Sequence, residues 1–166
     1  MISVEIDVLT NSIQNRMTGE IFETIVSELS ADELNEITNW QFNWLKESRY
    51  FKIYKLTTVV EPTVVQGLMS IEPRKGYVFM SLIETAPHNF GSQKDYLGVA
   101  GNLAAFACKV SFEKGFGGYV SFVSKTKLIE HYMKTLKAEI LVVPRMVIKT
   151  PAAKELVSKY FKDFTL

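Results

Sequence analysis

From Leu103 to Phe112 the chain reads Leu-Ala-Ala-Phe-Ala-Cys-Lys-Val-Ser-Phe, apolar on most sides at helical spacing. A helix with so few polar faces has to be buried against a sheet. The neighbouring segments supply candidates: Tyr77 to Thr85 before it and Tyr119 to Val123 after it are apolar runs of strand length. Strand, helix and strand in succession predict a parallel pairing of those two runs through a right-handed crossover. At 166 residues and 47% hydrophobic, the chain is long and apolar enough to bury a core. With no repeat, linker or low-complexity segment, residues 1–166 are expected to form one α/β domain.

The flanking pattern fills in around that unit. Ile2 to Leu9 alternates in places (Val4, Ile6, Val8) and predicts a first strand. Ile21, Phe22, Ile25, Val26 and Leu29 recur at helical spacing, predicting a first helix from Thr18. Ser30-Ala-Asp-Glu33 is a capping box, so a second helix starts there and is expected to carry Trp40, Phe42 and Trp44 as core or as the wall of a groove. Tyr50 to Leu56, Val64 to Ile71 and Tyr77 to Thr85 predict an antiparallel meander, with a tight turn at Pro73-Arg-Lys-Gly76. Ser124 to Leu136 is amphipathic, and Ala138 to Val143 and Arg145 to Ile148 are strands split by Pro144. Thr150-Pro151 predicts an N-cap and first-turn proline opening a closing helix, Ala152 to Phe161.

Just ahead of the buried helix lies Lys94-Asp-Tyr-Leu-Gly98-Val-Ala-Gly-Asn-Leu103. Gly98, Ala100 and Gly101 fall where a loop turns into a helix. Backbone N–H groups there can face an anion with no side chain in the way, which makes a phosphate seat. The same residues also suit a plain turn, and the stretch alone does not choose between the two.

Charge and composition narrow the field. A net charge of +1 does not call for nucleic acid or an anionic membrane, and a small ligand fits better. No apolar run is long enough to span a bilayer, and Met1-Ile-Ser-Val-Glu-Ile-Asp lacks a basic region followed by an apolar one, so a cytoplasmic protein is expected. Cys108 is the only cysteine, and His88 and His131 form no ligand pair, so no metal is expected. Set among alanine and phenylalanine, Cys108 is a poor nucleophile, and an acyl-cysteine route is rejected.

The element order from Tyr50 to Ile148 resembles the GNAT superfamily of acyl-CoA-dependent N-acyltransferases. Asp95, Gly98 and Ala100 match that family's pyrophosphate motif, and Leu103 its helix leucine. Tyr132-Met-Lys-Thr-Leu136-Lys-Ala-Glu139 is similar to the family's tyrosine-bearing helix end. The resemblance implies a mixed, mostly antiparallel α+β sheet with a splayed central parallel strand pair, flanked by helices, with an extra C-terminal helix. Two departures stand out. Asp95 replaces a basic or amide residue, with Lys94 next to it, and Ala138 to Ile148 is short for the final hairpin.

What the resemblance implies for chemistry is an N-acetyltransferase using acetyl-CoA and a primary amine, by direct attack in a ternary complex. It assigns the pantetheine arm to Leu82, Ile83 and Thr85, and the pyrophosphate to Lys94, Gly98, Val99, Ala100, Gly101 and Asn102. Tyr132 is the candidate proton donor to the departing thiolate, or else a core tyrosine on an amphipathic helix. Glu84 is the candidate base, or an ordinary strand residue, with His88 and Asn89 as fallbacks. Lys125 and Lys127 are candidates for the adenosine-side phosphate, or simply a solvated face. Two other functions stay open: a non-catalytic acyl-CoA-binding or protein-interaction module, and a toxin-like transferase acting on charged tRNA, which the near-neutral charge disfavours. The expected partner is a small-molecule or macromolecular amine, without nucleic acid, and a homodimer is compatible with the sequence.

Overall fold

Alternating apolar residues and short polar turns lay down the central strands, and the computed structural model describes them within residues 1–166. In chain order the elements are β1 (Ile13–Asn15), β2 (Ile21–Phe22), β3 (Thr24–Glu28), α1 (Ala31–Asn35), α2 (Trp44–Glu47), β4 (Lys52–Thr58), β5 (Gly67–Arg74) and β6 (Tyr77–Thr85). They continue with β7 (Tyr96–Leu97), α3 (Val99–Glu113), β8 (Val120–Val123), α4 (Ile129–Thr135), β9 (Glu139–Val142), β10 (Arg145–Ile148) and α5 (Thr150–Tyr160). A 7-stranded sheet has the order β3-β4-β5-β6-β8-β10-β9, and a small one has β2-β1-β7. All neighbours in the large sheet are antiparallel except β6 and β8. The mixed sheet with one central parallel pair is therefore observed.

The apolar helix α3 sits where its composition requires, with Leu103, Ala104, Ala105, Ala107 and Cys108 completely buried. It joins Met80, Phe122, Tyr132, Leu156 and Val157 in the main core. Each large side chain so enclosed contributes about 1.5–3 kcal/mol. On the opposite face of the sheet Leu29, Trp44, Ile53 and Leu68 form a smaller cluster under α1 and α2. Behind α3 the turn at Gly118 (φ +82) admits no side chain, because a Cβ there would lie 2.5 Å from Phe112 Cζ and 2.7 Å from Ala153 Cβ. That close approach lets α5 pack along α3.

Several expected elements differ. The predicted helix from Thr18 to Leu29 is instead β2 and β3, with Thr24 to Glu28 paired against Tyr54 to Thr58. The run Ile21, Thr24, Ile25, Val26 is β-branched, and the edge of β4 offers it a ladder that helical periodicity does not reveal. The second helix has its capping box but stops at Asn35. Asn39 takes a positive φ of 64°, so Trp40 and Phe42 lie in a loop and Trp44 opens α2. Ile2 to Leu9 forms no strand beyond one bridge between Ile2 and Ser124. Ser124 to Leu136 is a strand end, a 3-10 turn and then α4. Lys149, not Thr150, caps α5, because the Thr150 hydroxyl donates to Gly117 O at 2.5 Å.

Candidate functional site

β6 and β8 pair only over Val78–Met80 and Val120–Phe122, and then part. A bulge at Ser81 marks the departure: Ser70 faces Leu82 and Ile71 faces Met80, leaving Ser81 without a partner. Glu47 from α2 pins it, accepting from Ser70 Oγ at 2.6 Å and Ser81 Oγ at 2.8 Å. Beyond the bulge, Ala86 N–H donates to Gln66 O and Leu82 N–H to Ser70 Oγ, both towards β5. By alternation the backbone groups of Ile83 and Thr85 face the other way, into the opening.

The opening widens into a cleft of about 890 Å³. Ile83, Glu84 and Thr85 form one side, Val99 and Ala100 of α3 the floor, and Trp40, Phe42 and Phe90 an aromatic mouth. Lys94, Lys125 and Lys127 supply cations, the last two on exposed positions. Gly98 is the α3 N-cap in the left-handed region, φ +86. The first helical N–H to reach a helix carbonyl is that of Asn102, on Gly98 O at 3.0 Å. The N–H groups of Val99, Ala100 and Gly101 have no protein acceptor, the arrangement that suits an anion at a helix start. Asp95, the departure in the motif, has an exposed side chain and lies outside the cleft.

Other expected site residues lie elsewhere. Leu82 packs on the Trp44 side of the sheet and does not line the cleft, because the bulge turns its side chain to that face. Gly101 lies against Tyr160 and Leu9, and Asn102 is wholly buried with Nδ2 on Thr24 Oγ1 at 2.9 Å. His88 also lies outside the cleft lining, whereas Asn89 does line it; both bond Gln66, with His88 Nε2 2.8 Å and Asn89 Nδ2 2.9 Å from its Oε1.

Glu84 lines the cleft and is held by three donors. Its carboxylate accepts from Gln41 N–H at 2.6 Å, Phe42 N–H at 3.0 Å and Trp44 Nε1 at 2.9 Å. The three donors fix the loop that carries the aromatic mouth. Tyr132 is fully buried, lies outside the cleft lining and donates its hydroxyl to Val4 O. Burial, helped by the Glu5 carboxylate, pushes its phenol well above the ordinary range. Burial does the same to the Cys108 thiol, consistent with the rejected nucleophile.

The sequence reading missed the segment from Ile2 to Thr10. Ser124 N–H points at Pro144 O on the β10 side, so Val123 O and Lys125 N–H face the β6 side. There Ile2 sits, donating to Val123 O at 2.7 Å and accepting from Lys125 N–H at 2.9 Å. The chain then passes Tyr132, donates Ile6 N–H to His131 Nε2 at 2.8 Å, and sets Asp7 on Gly98 N–H at 3.2 Å and Lys94 Nζ at 3.1 Å. Thr10 N–H ends the run on Tyr160 Oη at 3.0 Å. The available signal was the partial alternation of Val4, Ile6 and Val8, of which Ile6 is buried, Val4 half-buried and Val8 exposed, and it does not say what covers them.

No protein-family model and no curated protein matches this sequence. Solved structures do match the fold. A structure of the KacTA–DNA complex aligns with TM-score 0.58 at 14% identity, over 86% of this chain and 100% of that one. A crystal structure of AtaTR bound with acetyl-CoA aligns with TM-score 0.55 at 13% identity, over 81% and 98%. AtaT complexed with acetyl-methionyl-tRNAfMet gives TM-score 0.55 at 14% identity, over 81% and 99%. The chain has the GNAT fold. At these identities the likeness is one of fold, the mixed sheet with its parallel β6–β8 pair and flanking helices.

Proposed function

We propose that residues 1–166 act as a single-domain N-acetyltransferase that uses acetyl-CoA to acetylate a primary amine in a ternary complex. The observation that carries this reading is the pairing of two features: free backbone groups at Ile83 and Thr85 in the splay, and unpartnered amides at Val99 and Ala100 in the same cleft. One suits an amide-bearing arm and the other a diphosphate. The fold's solved relatives support it, since AtaTR was seen bound with acetyl-CoA.

Acetyl-CoA supplies an acyl thioester. In this reading Ile83 and Thr85 hold the arm, Val99 and Ala100 the diphosphate, and Lys125 and Lys127 the outer phosphate. Glu84 orients the Gln41–Phe42 loop against the incoming amine, so positioning is its main contribution. A water in the cleft takes the first proton from the attacking ammonium. Tyr132, whose phenol keeps its proton through neutral pH, would pass it to the leaving sulfur once Val4 releases its hydroxyl, and the second proton lost by the amine nitrogen would restore the phenol.

The acceptor is an amine that fits an aromatic mouth. Although net charge argued against nucleic acid, AtaT was captured with acetyl-methionyl-tRNAfMet, so charged tRNA belongs in the acceptor panel beside small amines. A non-catalytic binding module is the second reading, favoured by the Asp7 carboxylate on Gly98 and the enclosed Tyr132.

A thermal-shift titration tests the proposal. Acetyl-CoA at a hundredfold excess over Kd adds about 2.7 kcal/mol, which raises Tm by roughly 5–10 °C for a chain this long. No shift at millimolar acetyl-CoA, with no acetylated product across the amine and tRNA panel, refutes it. A shift without product in any acceptor assay selects the binding module.

A further inference from the structure

We propose that residues Ile2 to Asp7 form an internal strap that occupies the acyl-CoA slot and must leave it for acyl-CoA to bind. The inference rests on the acyl-CoA reading above and concerns the regulation of that site.

Three contacts of the strap coincide with three parts of the proposed slot. At the splay, Ile2 takes the β8-side backbone partners, Val123 O and Lys125 N–H. At the reaction centre, Val4 O holds the Tyr132 hydroxyl and shuts the phenol off from the cleft. At the helix start, Asp7 places a carboxylate on Gly98 N–H and pairs with Lys94, where a diphosphate would bind. An anion already seated on those donors repels a second one, so the two ligands compete rather than share.

The strap is also built to be released. Residues 3–10 belong to no helix or strand, and the only ladder contact is the single Ile2–Ser124 bridge. Ile2 and Ile6 are buried, whereas Glu5, Asp7 and Val8 are exposed. Thr10, held by Tyr160, fixes the far end, so the segment before it can swing out while the chain stays anchored. With the strap out, Gly98 N–H, Lys94 and the Tyr132 hydroxyl all face the cleft together.

Two measurements on the full chain test this, with acetyl-CoA as the probe. Ile2 and Ser124 are bridge partners, so their Cα atoms lie about 5 Å apart, within disulfide range. The I2C/S124C variant, whose third thiol Cys108 is buried, is titrated calorimetrically in its oxidised and reduced forms. The lock is expected to weaken acetyl-CoA binding more than tenfold, and reduction to restore it. Independently, Asp7→Ala is expected to tighten binding about tenfold by freeing a charge-assisted donor pair. Hydrogen exchange of residues 1–8 is expected to speed up when acetyl-CoA binds to the unmodified chain.

Equal affinity for the locked and reduced forms, weaker or unchanged binding by Asp7→Ala, or slower exchange in residues 1–8 with acetyl-CoA would each overturn the strap while leaving the transferase reading standing. In those cases the segment is a fixed wall of the site. Failure of the unmodified chain, Asp7→Ala and the reduced variant all to bind acetyl-CoA would instead remove the acyl-CoA reading and the strap with it.

Discussion

Replacing Glu84 with glutamine isolates what that carboxylate does. It now accepts three N–H groups, from Gln41, Phe42 and Trp44, at 2.6, 3.0 and 2.9 Å, in a residue only 9% exposed. A glutamine oxygen can keep two of those donors, but its NH2 must then face the third. One buried donor is left unmatched and the charge assistance on the others is lost, a cost of about 2–3 kcal/mol. For a chain of this size that lowers Tm by roughly 4–12 °C. Urea unfolding followed by fluorescence should show a lower midpoint with an unchanged slope, and the Trp44 emission should shift as its indole N–H loses its partner. In the transferase assay KM for the amine should rise, because the Gln41–Phe42 wall loosens, while acetyl-CoA affinity stays within about twofold. An unchanged Tm together with a collapsed kcat and a lost limb of the pH profile would refute this reasoning. Glu84 would then be handling a proton rather than holding a loop.

Two further outcomes follow from the same geometry. Gly98→Ala forces a side chain into the left-handed region and puts its Cβ 2.1 Å from Thr10 Oγ1, so a loss of about 3 kcal/mol is expected in urea unfolding. Adding Thr10→Ala should recover part of it, and no recovery would mean that the strap end is not what confines Gly98. Burial, with the Asp7 charge assisting against the Thr10 N–H bond, pushes Tyr160 up to about 12. A raised phenol stabilises the fold below about pH 10, and that share is lost as pH climbs towards 12, at up to about 1.4 kcal/mol per pH unit. Tyr160→Phe should therefore flatten the decline in stability between those pH values, and parallel curves for the two proteins would sink the assignment.

Much of the architecture was legible because its signals are local. The all-round apolarity of Leu103 to Phe112 dictated a buried helix, and the two apolar runs beside it dictated a parallel pair; both are observed. The capping box at Ser30 and Glu33 is equally local, and it formed as read. Where the reading failed, a distant partner had decided. Ile21 to Leu29 carries helical spacing, yet β4 captures it as a strand because its β-branched residues pack better on a pleated edge.

The site divides in the same way. Gly98, Ala100 and Gly101 could be placed at a helix start from their small size and position, and Ile83, Thr85, Lys125 and Lys127 do reach the cleft. Leu82 could not be excluded, since the bulge at Ser81 that turns its side chain away leaves no mark in the strand's composition. Nor could the hydrogen-bond partners of Glu84 and Tyr132 be read. They come from 40 and 128 positions away in the chain, Trp44 for one and Val4 for the other. Sequence by itself determined which segments must be buried and which backbone can turn, because both depend on neighbouring residues alone. Only the tertiary structure decided which polar groups are free to meet a ligand, because that depends on what the rest of the chain brings beside them.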